Sequence, residues 1–471
     1  MNQHNDIGTN PYTGGVAAFV AGLQYEAIPD EVRARIKLLI LDSLGCALFG
    51  SGLEWSQILA DTLARVDTTQ GCSVWGTPMK LSAPHAALVN GTMIQSFELD
   101  DVHRAGVLHV GAVTLPPILA IAETRPAVAR MSGREFLRAC VAGYEVGPRV
   151  GMCMGPEHIA QGWHSGATVG VFSAAAGAAA ALRLDTAQTV HALGIGGTQS
   201  AGLMAAQFGA MVKRMHAGRA AQSGLYGALL AQNGFTGIVD VFENPYGGFC
   251  STFSRSTDRF DLTQLIDGLG ERFETMNIAL KFYSCVGSNH TTLDAIRVMQ
   301  ARHPFAAGDV ESIVVHGSRV TVDHVGWRYV PQGLTSAQLN LPYCVATLLL
   351  EGDVFVDQFS EDMVADPQRM ALAERVQVLE DPSITALGRG ARHTVRVEVK
   401  LRDGTRLAET VQSQRGSEHA FASEAEIVGK MTKLAAHRID GEKIARIVDW
   451  VMHAEEQTDT AELVRLLAVQ G

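Results

Sequence analysis

The spacing of apolar residues predicts that the first half of the chain is helical. After Pro29, which suits a first helical position, apolar side chains recur every three or four residues as far as Leu44, the spacing of one helix face. The same spacing predicts helices over 55–66, 82–96, 116–123, 133–150, 167–182, 186–197 and 211–232, and a weaker one over 264–269. These segments together indicate one large helical domain.

The pattern changes near residue 270. Residues 310–322 are rich in β-branched side chains and partly alternate, and 376–379 form a shorter run of the same kind, so both predict strands. Two further predicted strands, 394–400 and 406–411, flank an Asp-Gly pair that favours a hairpin turn. Helices are predicted again over 292–300, 338–350, 423–436, 440–452 and 460–469.

These patterns predict a mainly α protein with an α+β part. We expect a large all-helical domain formed by residues 1–270 and 416–471, and a smaller inserted α+β domain, an antiparallel sheet with helices, formed by 271–415. Gly194, Gly196 and Gly197 do not suit a dinucleotide fingerprint, because a predicted helix precedes them and Gln199 stands where the third glycine should be. We interpret them as glycines of helix packing.

Composition narrows the class of protein. Of 471 residues, 47% are hydrophobic and 18% charged, which indicates a folded chain rather than a disordered one. Residues 165–182 and 186–212 carry no charge, but small residues dominate them, so buried helices are favoured over a membrane span. The net charge of −11 offers no basic stripe for nucleic acid or an anionic membrane, and we expect neither partner.

Cysteines and the N-terminus point to a reducing, cytoplasmic location. None of the seven cysteines forms a CxxC pair and several lie in apolar stretches, so we expect buried free thiols. The first fifteen residues have no basic segment followed by an apolar one and are not rich in arginine.

Carboxylates and imidazoles cluster between Glu98 and His109, with Asp100, Asp101 and His103 between them. Such groups can form an acid/base site, hold a metal, or simply cap the next helix. No helical HxxxH or HExxH pattern supports a metal, so we expect none. An acid/base site is the favoured interpretation.

Three more segments could handle an anion. His164 lies between glycines at a predicted helix start, where amide dipoles attract anions, although a solvated entry turn is the alternative. Lys213 lies in the stretch 151–230, whose two acidic and four basic residues leave −13 for the rest of the chain. Lys281, with His290 nine residues later and Tyr329 further on, falls at the predicted domain junction, where pockets are common. Paired or solvated lysines remain alternatives for both segments.

In the order of their motifs and in the residues of each motif, these segments resemble the MmgE/PrpD family. This family includes 2-methylcitrate dehydratases, cis-aconitate decarboxylases and iminodisuccinate epimerase. The resemblance runs from about residue 15 to 455. It is carried by residues 28–29 with 41–45, 100–103 with 109–111, 162–164, 192–194, 213–220, 234–237, 281–290, 338–343 and 350–353. The chain departs from the family pattern at Val102, where many members have Thr, and at Val110, where Pro is usual.

The resemblance implies a homodimer and cofactor-free chemistry on a small di- or tricarboxylate, in a pocket between the domains. Position by position, it implies catalytic roles for a first set, His109, His164, Lys213, Lys281 and Tyr329. It implies substrate contact for a second set, Glu98, Asp101, His103, His216 and His290.

The favoured function is a lyase that dehydrates a 2-methylcitrate-like hydroxy acid or decarboxylates a cis-aconitate-like acid. Such an enzyme must stabilise charge that develops beside a carboxylate, which the two lysines suit. His109 or His164 is then the general base, and Tyr329 or the other histidine returns the proton. An epimerase of an iminodisuccinate-like dicarboxylate and a catalytically silent carboxylate-binding homologue remain alternatives.

Overall fold

The computed structural model describes residues 10–155, 157–208, 210–388, 391 and 393–469. Its contacts divide the chain into two compact units. The large unit comprises Met1–Ser96, Asp100–Ala279 and Ser423–Gly471, and the small unit comprises Phe97–Leu99 and Leu280–Ala422. The domain limits expected from the sequence, 1–270 with 416–471 and 271–415, stay a prediction.

The large unit is built almost entirely from helices. Its α-helices are Pro11–Gly22, Asp30–Gly50, Glu54–Ala64, Ala83–Ile94, Val110–Thr124, Gly133–Met154, Glu157–Ala160, Ser165–Thr168, Gly170–Leu182, Thr186–Gly197, Val212–Gln232, Phe249–Ser254, Glu424–Ala435, Gly441–Met452 and Ala461–Leu467. Two short strand pairs accompany them: Cys72–Ser73 with Lys80–Leu81, and Val102–His103 with Ile278–Ala279.

Small residues let the central helices of the large unit approach closely. Gly170–Leu182 packs against Gly133–Met154, Val110–Thr124 and Val212–Gln232. A Cβ atom on Gly224 would lie 2.4 Å from the Cβ of Ala174, so only glycine permits this crossing. The charge-free stretch is therefore a tightly packed core.

One of the described helical stretches, Ser165–Leu182, is long and apolar enough to cross a membrane by length and composition. Inside the fold, however, 94% of it is buried. A second stretch is long and apolar enough only if the helices Asp30–Gly50 and Glu54–Ala64 are taken as one span, and the chain bends by 79° between them. The buried stretch is packed as core helices of folded proteins are.

The small unit contains a four-stranded sheet. Its strands, in spatial order, are Val376–Glu380, Val310–Gly317, Val395–Leu401 and Arg406–Val411. Its helices are Gly287–Arg302, Arg319–Val325, Leu334–Leu339, Leu341–Glu351, Glu361–Val364, Pro367–Ala373 and Pro382–Ala386. The mainly α fold with an α+β part is thus confirmed, as is the hairpin at residues 395–411.

Several details differ from the sequence prediction. The sheet is mixed, because Val376–Glu380 returns through intervening helices and pairs in parallel with Val310–Gly317. Residues beyond Gly317 are helical, since Ser318 caps Arg319–Val325 by accepting a hydrogen bond from the Thr321 N–H. Only a single 3₁₀ turn, Leu262–Leu265, occupies the segment predicted as a helix near residue 264.

Candidate active site

His109 connects a buried carboxylate to accessible surface in the large unit. It is the N-cap residue of Val110–Thr124, and its Nδ1 lies 3.0 Å from Oδ2 of Asp100. The Asp100 side chain is 1% exposed, whereas that of His109 is 19% exposed. The contact has the distance of an ion pair but not the alignment of a hydrogen bond. With Nδ1 towards Asp100, Nε2 is the ring nitrogen left for proton transfer.

Asp101 is fully buried and held by protein groups. Its carboxylate accepts the Gly111 N–H at 3.0 Å and the Tyr144 hydroxyl at 2.9 Å. Burial raises the pKa of Asp101 to about 7, with the neighbouring charge of Asp100 adding to the rise and the hydrogen bonds opposing it. Gly111 is required here, because a Cβ atom would lie 2.0 Å from Oγ of Ser43. Asp101 therefore anchors the start of the helix after His109.

His103 is engaged through both ring nitrogens. Its Nδ1 accepts the Gly106 N–H at 2.9 Å, so the ring proton is on Nε2, which faces Glu274 at 3.1 Å. Burial opposes ionisation of Glu274, but the hydrogen bonds from His103 and Asn277 outweigh it and lower the pKa of Glu274 to about 2. The His103 ring is thus held as a neutral tautomer, and its predicted contact with substrate stays a prediction.

His164 and His216 form a pair of imidazoles in the large unit. Their Nδ1 atoms lie 3.1 Å apart. His164 is the N-cap residue of the short helix Ser165–Thr168, and its backbone N–H donates to the Gly202 carbonyl. His216 belongs to Val212–Gln232, so packing of that helix sets its position. At this distance one Nδ1 donates and the other accepts, and the two rings share one proton.

Lys213 lies one turn before His216 on the same helix. Burial lowers the pKa of His216, and the positive charge of Lys213 lowers it further. The imidazole pair therefore favours a neutral state in the absence of an anion. An anionic ligand beside Lys213 would offset this charge and make protonation of the pair easier.

Gln95 belongs to the same surroundings but was not singled out from the sequence. It follows the helix Ala83–Ile94 as its C-cap residue and is 2% exposed, and neither Oε1 nor Nε2 has a hydrogen-bond partner. A Cβ atom built on Gly166 would lie 3.1 Å from Cε1 of His164 and 3.8 Å from Nε2 of Gln95. A buried amide without partners is costly, which makes Gln95 a candidate for ligand contact. The only signal in the sequence is a polar residue after an apolar helix.

Strained backbone marks the segment that precedes His109. Glu98 and Val107 are two of the four described non-glycine residues with positive φ, at 59° and 49°. A β-branched residue rarely adopts this conformation, and such strain is common at functional sites. The Val107 carbonyl accepts the hydroxyl of Ser165, next to His164, so the two histidine-bearing segments of the large unit are joined.

In the small unit, Lys281 and Glu98 form a buried ion pair. The Nζ of Lys281 lies 3.3 Å from Oε2 of Glu98, and their side chains are 6% and 9% exposed. A pair so shielded from solvent interacts more strongly than a surface pair, and its geometry is more fixed. It places one ammonium and one carboxylate in defined positions.

Tyr329 and His290 are also held by groups of the small unit. The Tyr329 hydroxyl donates to the Val364 carbonyl at 2.9 Å, and burial raises the pKa of this phenol. Nε2 of the fully buried His290 donates to the Cys285 carbonyl at 3.2 Å. Proton return by Tyr329 and substrate contact by His290 stay predictions. Each role requires the residue to exchange its present hydrogen bond for one to the substrate.

Other potential chemistry is limited in the part of the chain that the structure describes. No three or more of its His, Cys, Asp or Glu side chains are grouped so that they could hold a metal ion. All seven cysteines are free and buried, as the sequence predicts. The glycines of residues 194–197 lie in the helix Thr186–Gly197. A Cβ atom on Gly194 would lie 2.1 Å from the Ile238 carbonyl oxygen, so glycine allows close packing of this helix.

The large helical unit and the smaller α+β unit define a mainly α fold, and the imidazole pair of the large unit consists of groups that are suited to proton transfer. The chain belongs to the MmgE/PrpD family. The model of the MmgE/PrpD N-terminal domain matches residues 15–261, and that of the C-terminal domain matches 283–454. The resemblance seen in the sequence is therefore confirmed.

Curated relatives cover nearly the whole chain. A cis-aconitate decarboxylase-like protein, oryM, of Aspergillus oryzae is 35% identical over 472 residues, which is 97% of each chain. The cis-aconitate decarboxylase of Aspergillus terreus is 31% identical over 97% of this chain and 95% of its own. That of Mus musculus is 27% identical over 97% and 93%. The protein is an enzyme of the lyase class, within a family of decarboxylases and dehydratases.

Proposed function

We propose that the protein decarboxylates a cis-aconitate-like tricarboxylate without a cofactor. The observation that carries the proposal is the imidazole pair, His164 and His216, with Nδ1 atoms 3.1 Å apart and Lys213 one turn away. Such a pair can deliver one proton, and the lysine supplies positive charge for a carboxylate. The names of the relatives support the choice of substrate class.

The reaction needs one proton and no redox change. The bond between the methylene carbon and its carboxylate breaks, and carbon dioxide leaves. Its electron pair forms a new carbon–carbon double bond, while the former double bond becomes an enediolate conjugated with a retained carboxylate. The carbon next to that carboxylate then takes a proton, which yields an unsaturated dicarboxylate. The substrate's own double bond accepts the electrons, so no cofactor is required.

Lys213 has the charge that this intermediate requires. Negative charge moves onto the retained carboxylate in the transition state, and a fixed ammonium stabilises it more than it stabilises the ground state. Burial and then the same ammonium lower the pKa of His216, and a bound substrate anion would offset the effect of the ammonium. Substrate binding therefore favours uptake of the proton that the product needs.

His109 is the second candidate acid or base. Its Nδ1 faces the buried Asp100 at 3.0 Å, an arrangement that orients the ring. The catalytic role of Lys281, which forms a buried ion pair with Glu98 in the small unit, stays a prediction.

Dehydration and epimerisation use the same groups, so the test must separate them. The protein is incubated in D₂O with cis-aconitate, 2-methylcitrate, citrate or iminodisuccinate, and the products are followed by proton NMR. We expect carbon dioxide release from cis-aconitate with one deuterium on the product carbon next to the carboxylate. Loss of water from a hydroxy acid, or α-deuterium exchange alone, would overturn the proposal in favour of a dehydratase or an epimerase.

A control variant makes the test specific. Lys213→Met removes the ammonium of the proposed site, whereas Lys433→Met removes an exposed lysine on another helix of the large unit. We expect the first variant to lose turnover and the second to keep it. Saturable binding of all four acids without exchange or release would leave a catalytically silent homologue.

A further inference from the structure

Gln95 presents an unsatisfied amide at a point where the backbone on both sides is held. It is the C-cap residue of Ala83–Ile94, and its backbone N–H donates to the Gly91 carbonyl. The hydroxyl of the next residue, Ser96, donates to the Thr92 carbonyl. The Gln95 side chain is 2% exposed, yet Oε1 and Nε2 have no hydrogen-bond partner in the described part of the chain. Such a group is costly in a folded protein, so it indicates a bound ligand or water.

A close helix crossing fixes Gln95 relative to the helix Val212–Gln232. A Cβ atom on Gly91 would lie 2.8 Å from the Cα of Gly218, and one on Gly218 would lie 2.0 Å from the Leu88 carbonyl oxygen. Glycine at both positions therefore permits the contact. Gln95 and His216 each lie within about one helical turn of this crossing along their own helices.

Gly166 borders both Gln95 and the other imidazole of the pair. A Cβ atom built on it would lie 3.8 Å from Nε2 of Gln95 and 3.1 Å from Cε1 of His164. The unsatisfied amide and the imidazole therefore flank the same backbone position. This places Gln95 beside the groups on which the proposed reaction depends.

The neutral charge of an amide suits a carboxylate that is to be lost. During decarboxylation, negative charge leaves the departing carboxylate and moves towards a retained one. A cation at the departing carboxylate would stabilise the ground state more than the transition state, and so it would slow the reaction. An amide donates hydrogen bonds to the same oxygens without adding this charge.

We propose that Gln95 is a specificity-determining residue that binds the departing carboxylate of the substrate through Nε2. Lys213 then compensates the charge of a retained carboxylate, and Oε1 of Gln95 accepts a hydrogen bond from a water molecule bound with the substrate. The inference rests on the proposed function, because only decarboxylation distinguishes a departing carboxylate from the others. Contact with a third carboxylate is the part that does not depend on turnover.

Two acids that cannot react separate this carboxylate from the other two. Tricarballylate carries three carboxylates on a saturated three-carbon chain, and methylsuccinate is the same molecule with one terminal carboxylate replaced by hydrogen. Calorimetric titration measures the affinity of each acid for the wild type and for Gln95→Met. We expect the variant to bind tricarballylate about tenfold more weakly and to bind methylsuccinate with unchanged affinity.

A matched control and a second variant keep the comparison specific. Gln232→Met replaces an exposed glutamine at the end of Val212–Gln232 and should leave both affinities unchanged. Folding is checked by circular dichroism before titration. If Gln95→Met does not fold, Gln95→Leu removes the same amide and carries the comparison.

Steady-state kinetics on cis-aconitate test whether the bound carboxylate is the departing one. A contact with that carboxylate does not strengthen in the transition state, so its loss in Gln95→Met should raise KM about tenfold and leave kcat within about threefold. A retained carboxylate gains charge in the transition state. A fall of kcat in parallel with kcat/KM would therefore overturn the assignment to the departing group.

The binding data decide whether the amide has a ligand at all. Equal changes in affinity for the two acids would show a structural amide, and no change for either would show an amide that holds only water. Either result, or a wild type that does not bind tricarballylate, would overturn the inference. If cis-aconitate is not decarboxylated, the proposed reaction fails. A loss of affinity confined to tricarballylate would still assign Gln95 to the carboxylate that methylsuccinate lacks.

Discussion

The Nδ1 atoms of His164 and His216 lie 3.1 Å apart, so one imidazole donates a hydrogen bond to the other. The two rings arrive from different elements: His164 from the turn before Ser165–Thr168, and His216 from the long helix Val212–Gln232. Their ring centroids are 4.9 Å apart, and the planes are tilted by 44°. A proton placed on this pair is shared, and each ring depends on the other for its tautomer.

His216→Asn should therefore impair catalysis even if His164 is the ring that meets the substrate. The asparagine removes the partner that fixes the proton of His164, and we expect kcat to fall by about 10²–10⁴-fold, the usual contribution of general acid–base catalysis. Steady-state rates on cis-aconitate measure the effect. His303→Asn replaces an exposed histidine and is the control. A kcat within threefold of the wild type would contradict a role for the pair.

Lys213→Met should change both binding and protonation. Loss of the ammonium raises the pKa of His216, because the positive charge of Lys213 is one cause of its lowered value. The histidine pair then takes up its proton at higher pH, and the KM for a tricarboxylate rises. Ring titration by NMR and initial rates at several pH values measure the two effects. If the midpoint of the His216 titration is unchanged in a folded Lys213→Met protein, Lys213 does not act on the imidazole pair.

Gln95→Met should make the protein more stable and less active. The buried amide has no hydrogen-bond partner, so an apolar side chain of similar length removes its desolvation cost, about 1–3 kcal/mol. The same change removes a group beside His164, and KM should rise. Asn90→Leu is the matched control on the preceding helix, because Asn90 is fully hydrogen-bonded to Trp75 and Ser73 and its loss should destabilise. A destabilised Gln95→Met would argue for a structural amide.

Asp101→Asn should flatten part of the pH dependence of stability. In the folded protein the pKa of Asp101 is raised from 3.8 to about 7, so the folded state binds more protons than the unfolded state between these values. The contribution of Asp101 to the free energy of unfolding is therefore fully present below about pH 4 and lost as the pH rises to about 7. Thermal unfolding of both proteins from pH 4 to 8 gives the difference. Parallel profiles would show that Asp101 does not titrate in this range.

An exposed apolar row on the large unit should be covered by a second copy of the chain. Val212, Tyr226 and Leu230 lie on the outer face of Val212–Gln232, and Phe235 follows the helix, with exposures of 38% to 60%. Grouped apolar exposure of this kind often marks an interface. Light scattering should give the mass of a dimer for the wild type and of a monomer for Tyr226→Glu. A monomeric wild type would contradict the expected homodimer.

The helices were the most predictable part of the fold. The helix predicted over residues 186–197 agrees with the structure at both ends, and in the structure Asp185 begins it with a capping box. The helix Val110–Thr124 is longer than the predicted 116–123, because Pro116 lies inside the helix and not at its start. Strand propensity of 318–322 was overridden by the Ser318 cap.

The residue types of the site were predictable from the sequence, but the contacts between their side chains were less so. The motifs singled out His109 because carboxylates and imidazoles cluster before it, and they singled out His164 and Lys213 because they lie in or beside a charge-poor stretch. The sequence does not reveal that the amide of Gln95 lacks a hydrogen-bond partner, because this depends on burial. Nor does it reveal the contact between Asp42 and Lys430, because these residues are 388 positions apart. Such relationships exist only in the folded chain.

That separation also has a consequence for how the protein is made. Asp42 leaves the ribosome 388 residues before Lys430, which at typical rates of about 5–20 residues per second is roughly 20–80 s. During this interval the Asp42 carboxylate lacks the ion pair that it forms with Lys430 in the folded protein, so it stays hydrated or takes up a proton. Completion of the large unit therefore waits for the last helices to be synthesised, and a chain that stops short of them is a natural substrate for quality control.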